Sequence, residues 1–314
     1  MIHSVTVTNP LGESIKMELA KPEKSGFAVY SIDGLGPVTG TINMASLATA
    51  DGGIFNSARL PCRNILMTLG LLFAETVEEA RHLSYRYFPL KKPVSLSIET
   101  DQRICDILGY VEANEIDIFS REETAQISIL CPNPHFHAGG DRRKTEVTFA
   151  VNAPTFEFPF GNEIPEAFAG DRETAPGALQ FGLLTDDSLQ TIWYEGDADT
   201  GFEMILDASG AISGKITVAN AETQEAMVLD TDKVASLTGA GFGLGDSIEI
   251  STVRGEKRIT LVRNGNRTNI IGCLEKDSNW LLLRKGDNIF QYAVTTGGVY
   301  LGFRIRYDTL YEGV

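Results

Sequence analysis

The chain has 314 residues, and 27 Lys and Arg against 42 Asp and Glu give it a net charge of −15. So negative a chain is a poor candidate for wrapping a nucleic-acid backbone or binding an anionic membrane, because both tasks need clustered cations. Its 43% hydrophobic and 22% charged residues exclude global disorder, and its length corresponds to about two domains.

Short alternating runs separated by Gly and Pro indicate a mostly β protein. In the first half we expect strands at residues 4–8, 26–32, 38–44, 64–71, 94–100, 105–114, 124–131 and 144–151. In the second half we expect them at residues 178–184, 190–194, 202–206, 214–220, 226–230, 247–252, 257–262, 269–271, 280–283, 288–293 and 298–307. The Asn264-Gly265 dipeptide lies between two apolar runs, which is typical of a tight hairpin turn.

One helix is predicted, beginning after Thr76. The segment Thr-Val-Glu-Glu at 76–79 is a capping box, in which the hydroxyl of Thr76 accepts from the backbone amide of Glu79. Apolar residues at 77, 80, 83 and 87 then recur at helical spacing, and Pro89 ends the helix. The fold class expected from these elements is all-β with one helix.

A domain boundary is expected near the double-proline stretch at 132–134. We divide the chain into an N-terminal domain at 1–137, a proline-rich connector at 138–177 and a C-terminal β-sandwich at 178–314. Trp193 and Trp280 are expected to anchor the second core, with an exposed ligand platform as the alternative.

Motifs that carry chemistry are scarce. His135 and His137 would point to one face of a strand and could bind a metal, but an ordinary loop between domains is the favoured interpretation. The glycine-rich segments at 34–37 and 241–245 do not open helices, so they present no phosphate site. We therefore predict no enzyme, no metal and no cofactor. Four cysteines without a C-x-x-C pair are expected to be reduced and buried, and neither a signal peptide nor a membrane span is expected.

Several short segments occur in a characteristic order. They are residues 32–38 (IDGLGPV), 50–59 (ADGGIFNSAR), 64–71 (NILMTLGL), 87–89 (YFP), 109–114 (GYVEAN), 119–123 (FSREE) and 126–134 (QISILCPNP). Together they resemble the distal tail proteins of long-tailed bacteriophages or prophages, also known as baseplate-hub or phage tail-component proteins. The second half is similar to the C-terminal domain of that family at residues 196–198, 245–248, 283–288 and 311–314.

This resemblance implies an N-terminal β-sandwich with an α-helix and an extended arm, followed by a galectin-like C-terminal β-sandwich. Six copies would form a ring, with the arm clasping the neighbouring subunit. The ring would join the tail tube protein to the tail tip protein and serve as a platform for receptor-binding proteins in host attachment. The implied location is the baseplate of the virion tail, made and assembled in the host bacterial cytoplasm without a membrane partner.

The resemblance also implies that DNA passes through the ring without specific binding. An acidic lumen would favour this passage, because like charges repel. The inter-subunit arm that the resemblance implies comprises Asp51, Gly52, Gly53, Phe55, Asn56 and Arg59. A plain mobile hairpin tip is the alternative for this segment.

A second class of function is a carbohydrate-binding adhesion module. The C-terminal sandwich would then hold a glycan against an aromatic side chain, with four candidates: Trp193, Trp280, Tyr292 and Tyr300. A galectin-like fold does not itself imply sugar binding. An enzyme such as a cell-wall hydrolase is the weakest alternative, because the sequence has no nucleophile–base or metal signature.

Overall fold

A computed structural model describes residues 1–47, 51–72, 76–117, 123–140, 144–149, 152–153, 183–184 and 189–314. The chain forms two compact units. Unit 1 comprises Met1–Lys144, Gly196–Ala198 and Asp308–Val314, and unit 2 comprises Thr145–Glu195 and Asp199–Tyr307. Two short segments that the sequence analysis placed in the C-terminal domain, 196–198 and 308–314, thus lie in unit 1. Most of the predicted connector at 138–177 lies outside the described residues.

The described elements are mainly strands. In chain order they are β1 (Ile2–Thr8), β2 (Ser14–Glu18), β3 (Phe27–Asp33), β4 (Thr41–Ser46), β5 (Gly53–Arg59), β6 (Arg63–Leu71), β7 (Pro93–Thr100), β8 (Ile104–Asp117), β9 (Thr124–Cys131), β10 (Phe136–Ala138), β11 (Thr145–Phe149), β12 (Asn152–Ala153), β13 (Leu183–Leu184), β14 (Leu189–Tyr194), β15 (Phe202–Ala208), β16 (Ser213–Asn220), β17 (Glu225–Asp230), β18 (Ser247–Ser251), β19 (Arg258–Arg263), β20 (Asn266–Asn269), β21 (Gly286–Thr296), β22 (Leu301–Tyr307) and β23 (Leu310–Tyr311). Two α-helices accompany them, α1 (Val77–Tyr87) and α2 (Asp232–Thr238). The predicted all-β class is confirmed.

Some predicted elements differ from the structure. The strand expected at 280–283 is absent from the described structure, where Leu283 makes only an isolated bridge to Thr200. The strand expected at 269–271 is replaced by β20, which ends at Asn269, and by a short 3-10 turn at Ile271–Cys273. Helix α2 was not predicted, because its first turn has no side-chain cap and gives no local signal.

Unit 1 is built on one continuous sheet. Its main strand order is β2-β1-β7-β8-β9-β6-β3, and β10 joins β8 to the C-terminal strand β23. Side chains from both ends of this order, Met17 on β2 and Phe27 on β3, belong to the same buried cluster as Val5 and Ile107. The strands therefore enclose a single core, to which α1 adds Ala80.

Helix α1 begins as predicted. The hydroxyl of Thr76 accepts a hydrogen bond from the amide of Glu79 at 3.3 Å. At the other end, the side chain of Asn114 on β8 donates to the carbonyl of Phe88 at 3.2 Å. These two contacts fix where the helix starts and how its last turn meets the sheet.

Unit 2 is a β-sandwich. Its six-stranded sheet has the order β11-β22-β15-β18-β19-β20, and its four-stranded sheet has the order β14-β21-β16-β17. Aromatic rings join the two inner faces: the ring centroids of Phe202 and Phe290 are 5.4 Å apart, and those of Tyr194 and Tyr307 are 5.9 Å apart. Edge-to-face pairs at these distances add to the stabilisation from burial itself.

Two expectations about side chains are wrong in part. Trp193 does not anchor the core: Ile192 and Tyr194 point inward from β14, so Trp193 points outward and is 66% exposed. Trp280 does pack against the core, with the ammonium of Lys257 5.1 Å from its ring centroid. Of the four cysteines, Cys62 is exposed and the other three are buried.

Candidate subunit interface: the β4–β5 hairpin

Strands β4 and β5 form a hairpin that stands apart from the other sheets of the described chain. They pair with each other as a separate two-stranded sheet, and every residue of both strands is exposed. A single two-stranded hairpin is at best marginally stable in water, and normally needs a third strand or a packing partner. This isolation marks the hairpin as a candidate interface.

The pairing register gives the hairpin one apolar face. Ile42 lies opposite Ala58, and Met44 lies opposite Phe55. Because alternate residues of a strand share a face, these four side chains lie on the same side. Ile42 and Met44 are each 63% exposed and Phe55 is 61% exposed, so the face is open to solvent.

The opposite face of the hairpin is polar near its base and carries the apolar pair Ala45 and Ile54 next to the turn. Thr41 lies opposite Arg59 and Asn43 lies opposite Ser57, whose hydroxyl accepts a hydrogen bond from the Asn43 amide at 3.0 Å. The hairpin is therefore amphipathic, as expected of a segment with one side against protein and the other in water.

The predicted arm residues lie in the turn and on the second strand of this hairpin. Asp51 and Gly52 lie in the turn, where Gly52 has a φ of +93°, and Gly53 opens β5. Residues 48–50 of the turn lie outside the described residues. Of the remaining three, Phe55 is on the apolar face, Asn56 is the extra residue of a β-bulge, and Arg59 is on the polar face.

The predicted arm residues do not include β4, the other strand of the hairpin. Ile42 and Met44 supply two of the three large side chains of the apolar face. Their alternation with polar neighbours is a strand signal. It does not reveal that the strand's only pairing within the described chain is with β5, which follows from the topology.

The two histidines considered as metal ligands lie near each other in sequence, and His137 contacts two other side chains. A ring nitrogen of His137, Nε2, is 3.1 Å from the Asn133 amide nitrogen, and its Nδ1 is 3.6 Å from a carboxylate oxygen of Asp308. Burial lowers the pKa of His135. Within the described ranges, no group of three or more His, Cys, Asp or Glu residues is placed to hold a metal ion.

The aromatic candidates for a glycan platform divide by exposure. Tyr292 is only 8% exposed, whereas Tyr300 is 47% exposed and Trp193 is the most exposed of the set. Separately, none of the helices in the described part of the chain has the length and apolar character needed to cross a bilayer.

Comparison with known proteins gives a match in structure alone. No protein-family model and no curated protein matches the sequence. The fold is similar to that of Dit from phage SPP1, described as a paradigm of the hub adsorption apparatus in phages that infect Gram-positive bacteria, with a TM-score of 0.61 and 11% identity over 98% of both chains. The resemblance to distal tail proteins read from the sequence is confirmed at the level of the fold.

Two baseplate structures of phage P2 in its activated conformation are more distant. The Ca-bound structure has a TM-score of 0.44 with 13% identity over 98% of both chains. The Sr-bound structure has a TM-score of 0.42 with 11% identity over 96% of this chain and 97% of the other.

Proposed function

We propose that the protein is the distal tail protein, or baseplate hub, of a long-tailed phage or prophage. In this role it is a structural virion protein and not an enzyme. The observation that carries the proposal is the similarity to SPP1 Dit over 98% of both chains. Such coverage means that both units, and not one common module, correspond to the hub protein.

In the proposed assembly the chain forms a six-membered ring between tail tube and tail tip proteins, and receptor-binding proteins attach to it. The apolar face of the hairpin, with Ile42, Met44 and Phe55, packs on the neighbouring subunit. This contact joins two different surfaces, and such head-to-tail contacts produce a closed ring when the rotation between subunits closes.

The charge supports the same role. DNA passing through the ring would meet a chain with a net charge of −15, which disfavours adhesion to the phosphate backbone. The proposed location is the virion tail, after assembly in the host bacterial cytoplasm.

The mass in solution tests the proposal. Light scattering after size exclusion should give six chains, and negative-stain images of the same fraction should show rings. If the protein alone is a monomer, it is mixed with tail tube and tail tip proteins. Failure to assemble with them as well contradicts the hub role.

A deletion variant tests the arm separately. Residues 41–59 are replaced by a short Gly-Ser linker, and circular dichroism and thermal unfolding verify that the remainder folds. The deleted chain should remain monomeric under conditions in which the full chain assembles. Rings from the deleted chain would show the arm assignment to be wrong while leaving the hub role in place.

Carbohydrate binding by unit 2 is a second candidate, favoured by the 66% exposure of Trp193. Trp193 lies opposite Asp287 in the register of β14 and β21, so an apolar ring stands beside a hydrogen-bonding group, as sugar stacking requires. Binding to host cell-wall polysaccharide should be lost in Trp193→Ala and kept in Leu189→Ala, a control on the same strand. Equal binding by both variants, or no binding by the wild type, rejects this candidate.

A further inference from the structure

Arg63 makes an unusual set of contacts at the base of the hairpin. It is the first residue of β6, four residues after β5 ends, and only 2% of it is exposed. Its guanidinium donates hydrogen bonds to four backbone carbonyls at 2.5–2.7 Å, those of Gly34, Gly36, Pro134 and Glu312.

These carbonyls belong to three separate segments. Gly34 and Gly36 lie between β3 and β4 and therefore lead into the hairpin, while Arg63 itself lies just beyond its other end. Pro134 precedes β10, and Glu312 belongs to the C-terminal segment. The amide of Val314 also donates to the carbonyl of Leu35 at 3.1 Å. Arg63 thus joins both ends of the hairpin to two other parts of unit 1.

The guanidinium group suits this position. Each of its hydrogen bonds goes to a backbone carbonyl, and in the described chain no carboxylate forms an ion pair with it. The ring of Phe136 lies 4.4 Å from its central carbon, which adds a cation–π contact. A planar fork of five N–H donors can reach four acceptors at once, whereas an ammonium has three donors on a flexible stem.

The base of the hairpin is also closely packed. Gly34 has a φ of +86°, and a Cβ atom at this position would lie 2.1 Å from the carbonyl oxygen of Asn64. A Cβ atom on Gly313 would lie 3.1 Å from the carbonyl oxygen of Leu35. The backbone segments therefore approach each other as closely as glycine permits.

We propose that Arg63 is the positioning residue that fixes the direction in which the β4–β5 hairpin leaves unit 1. Contacts at both ends of the hairpin and to the C-terminal segment hold its base, while the rest of the hairpin is free for a partner. The consequence for ring formation rests on the proposed function, but the fixed direction does not.

The direction of the hairpin can be measured with two spin labels. One label is placed at Asp51→Cys in the turn and the other at Gln126→Cys on β9, in a Cys62→Ser background because Cys62 is the exposed cysteine. The labelled chain is diluted with unlabelled chain, so that only distances within one molecule are recorded. With Arg63 unchanged, the distances between the two labels should form a narrow distribution.

Arg63→Lys keeps the positive charge but replaces the planar guanidinium with an ammonium group. This substitution should at least double the width of that distribution. The control is Ile98→Ala, a core variant on β7 that lowers the unfolding midpoint without touching the hairpin. Deletion of residues 312–314 is a second variant in case Arg63→Lys does not fold. It removes one acceptor of Arg63 and the Val314 contact, and should also broaden the distribution.

Two outcomes overturn the proposal. In the first, the folded Arg63→Lys or 312–314 deletion variant keeps the wild-type width. In the second, Ile98→Ala broadens it equally, which would show that loss of stability alone is responsible. If the wild type does not assemble even with its tail partners, the proposed function fails while the spin-label result still decides the role of Arg63.

Discussion

Replacing Phe55 with alanine should weaken assembly of the subunits while leaving the isolated subunit almost unchanged. A phenylalanine side chain buries roughly 150–250 Å² in a full contact, and Phe55 is 61% exposed in the single chain. A neighbour that covers it removes about 90–150 Å² from water, worth about 2–4 kcal/mol at ~25 cal/mol per Å². Alanine retains a minor share, so each contact should lose about 2 kcal/mol, or about 30-fold in its dissociation constant.

Sedimentation velocity over a range of protein concentrations measures this change. The free energy of unfolding of the monomer should move by no more than about 0.5 kcal/mol, because an exposed side chain loses few contacts. Thr41→Ala is the matched control, since Thr41 is exposed on the polar face of the same hairpin. If Phe55→Ala assembles like the wild type while Thr41→Ala does not, the apolar face has been assigned to the wrong side of the hairpin.

Three further predictions concern stability and use chemical unfolding. Gly34→Ala should cost at least about 2 kcal/mol, because φ is +86° and the new Cβ would meet a backbone carbonyl oxygen. Hydrogen bonds from Arg86 and Asn9 lower the pKa of Glu13 from 4.5 to about 2. Its stabilising effect is therefore complete above pH 4.5 and is lost as the pH falls towards 2, and Glu13→Gln should remove this part of the acid dependence. Asp246→Asn should destabilise unit 2 by about 1–3 kcal/mol, because it removes the negative charge and one of the two carboxylate oxygens that accept from the Arg263 guanidinium.

The elements that could be predicted are those specified locally. The capping box places the start of α1, and alternation places most strands within a few residues. The sequence does not reveal whether the Trp193 side chain points into the core or into solvent. Its neighbours Ile192 and Tyr194 are also apolar, and β14 is an edge strand of its sheet. Three consecutive apolar residues fit either orientation of a strand, and only the register with β21 decides between them.

The β4–β5 hairpin shows a second limit of prediction from sequence. Residues 51–59 were identified by resemblance, but their facing depends on the bulge at Asn56, which shifts the alternation by one position. No sequence pattern indicates the role of Arg63, because its hydrogen-bond partners are backbone carbonyls and one of them is 249 residues away in the sequence. Arginine side chains commonly pair with carboxylates. The different role of Arg63 can be identified only from its position in the fold.

The β4–β5 hairpin combines a base held by Arg63 with a solvent-exposed apolar face. Together these two features would allow so exposed a segment to contribute to assembly. A hairpin that moved freely would lose conformational freedom on binding, at about 0.5–1.5 kcal/mol for each side chain that becomes ordered, in addition to the ordering of its backbone. If Arg63 and Gly34 fix the base as proposed, part of the backbone ordering is complete before a neighbour arrives. The burial of Ile42, Met44 and Phe55 can then appear as net affinity. In the proposed ring, the buried guanidinium, which has a desolvation cost and no carboxylate ion pair within the described ranges, would preorganise the hairpin, and the benefit would lie in the oligomer.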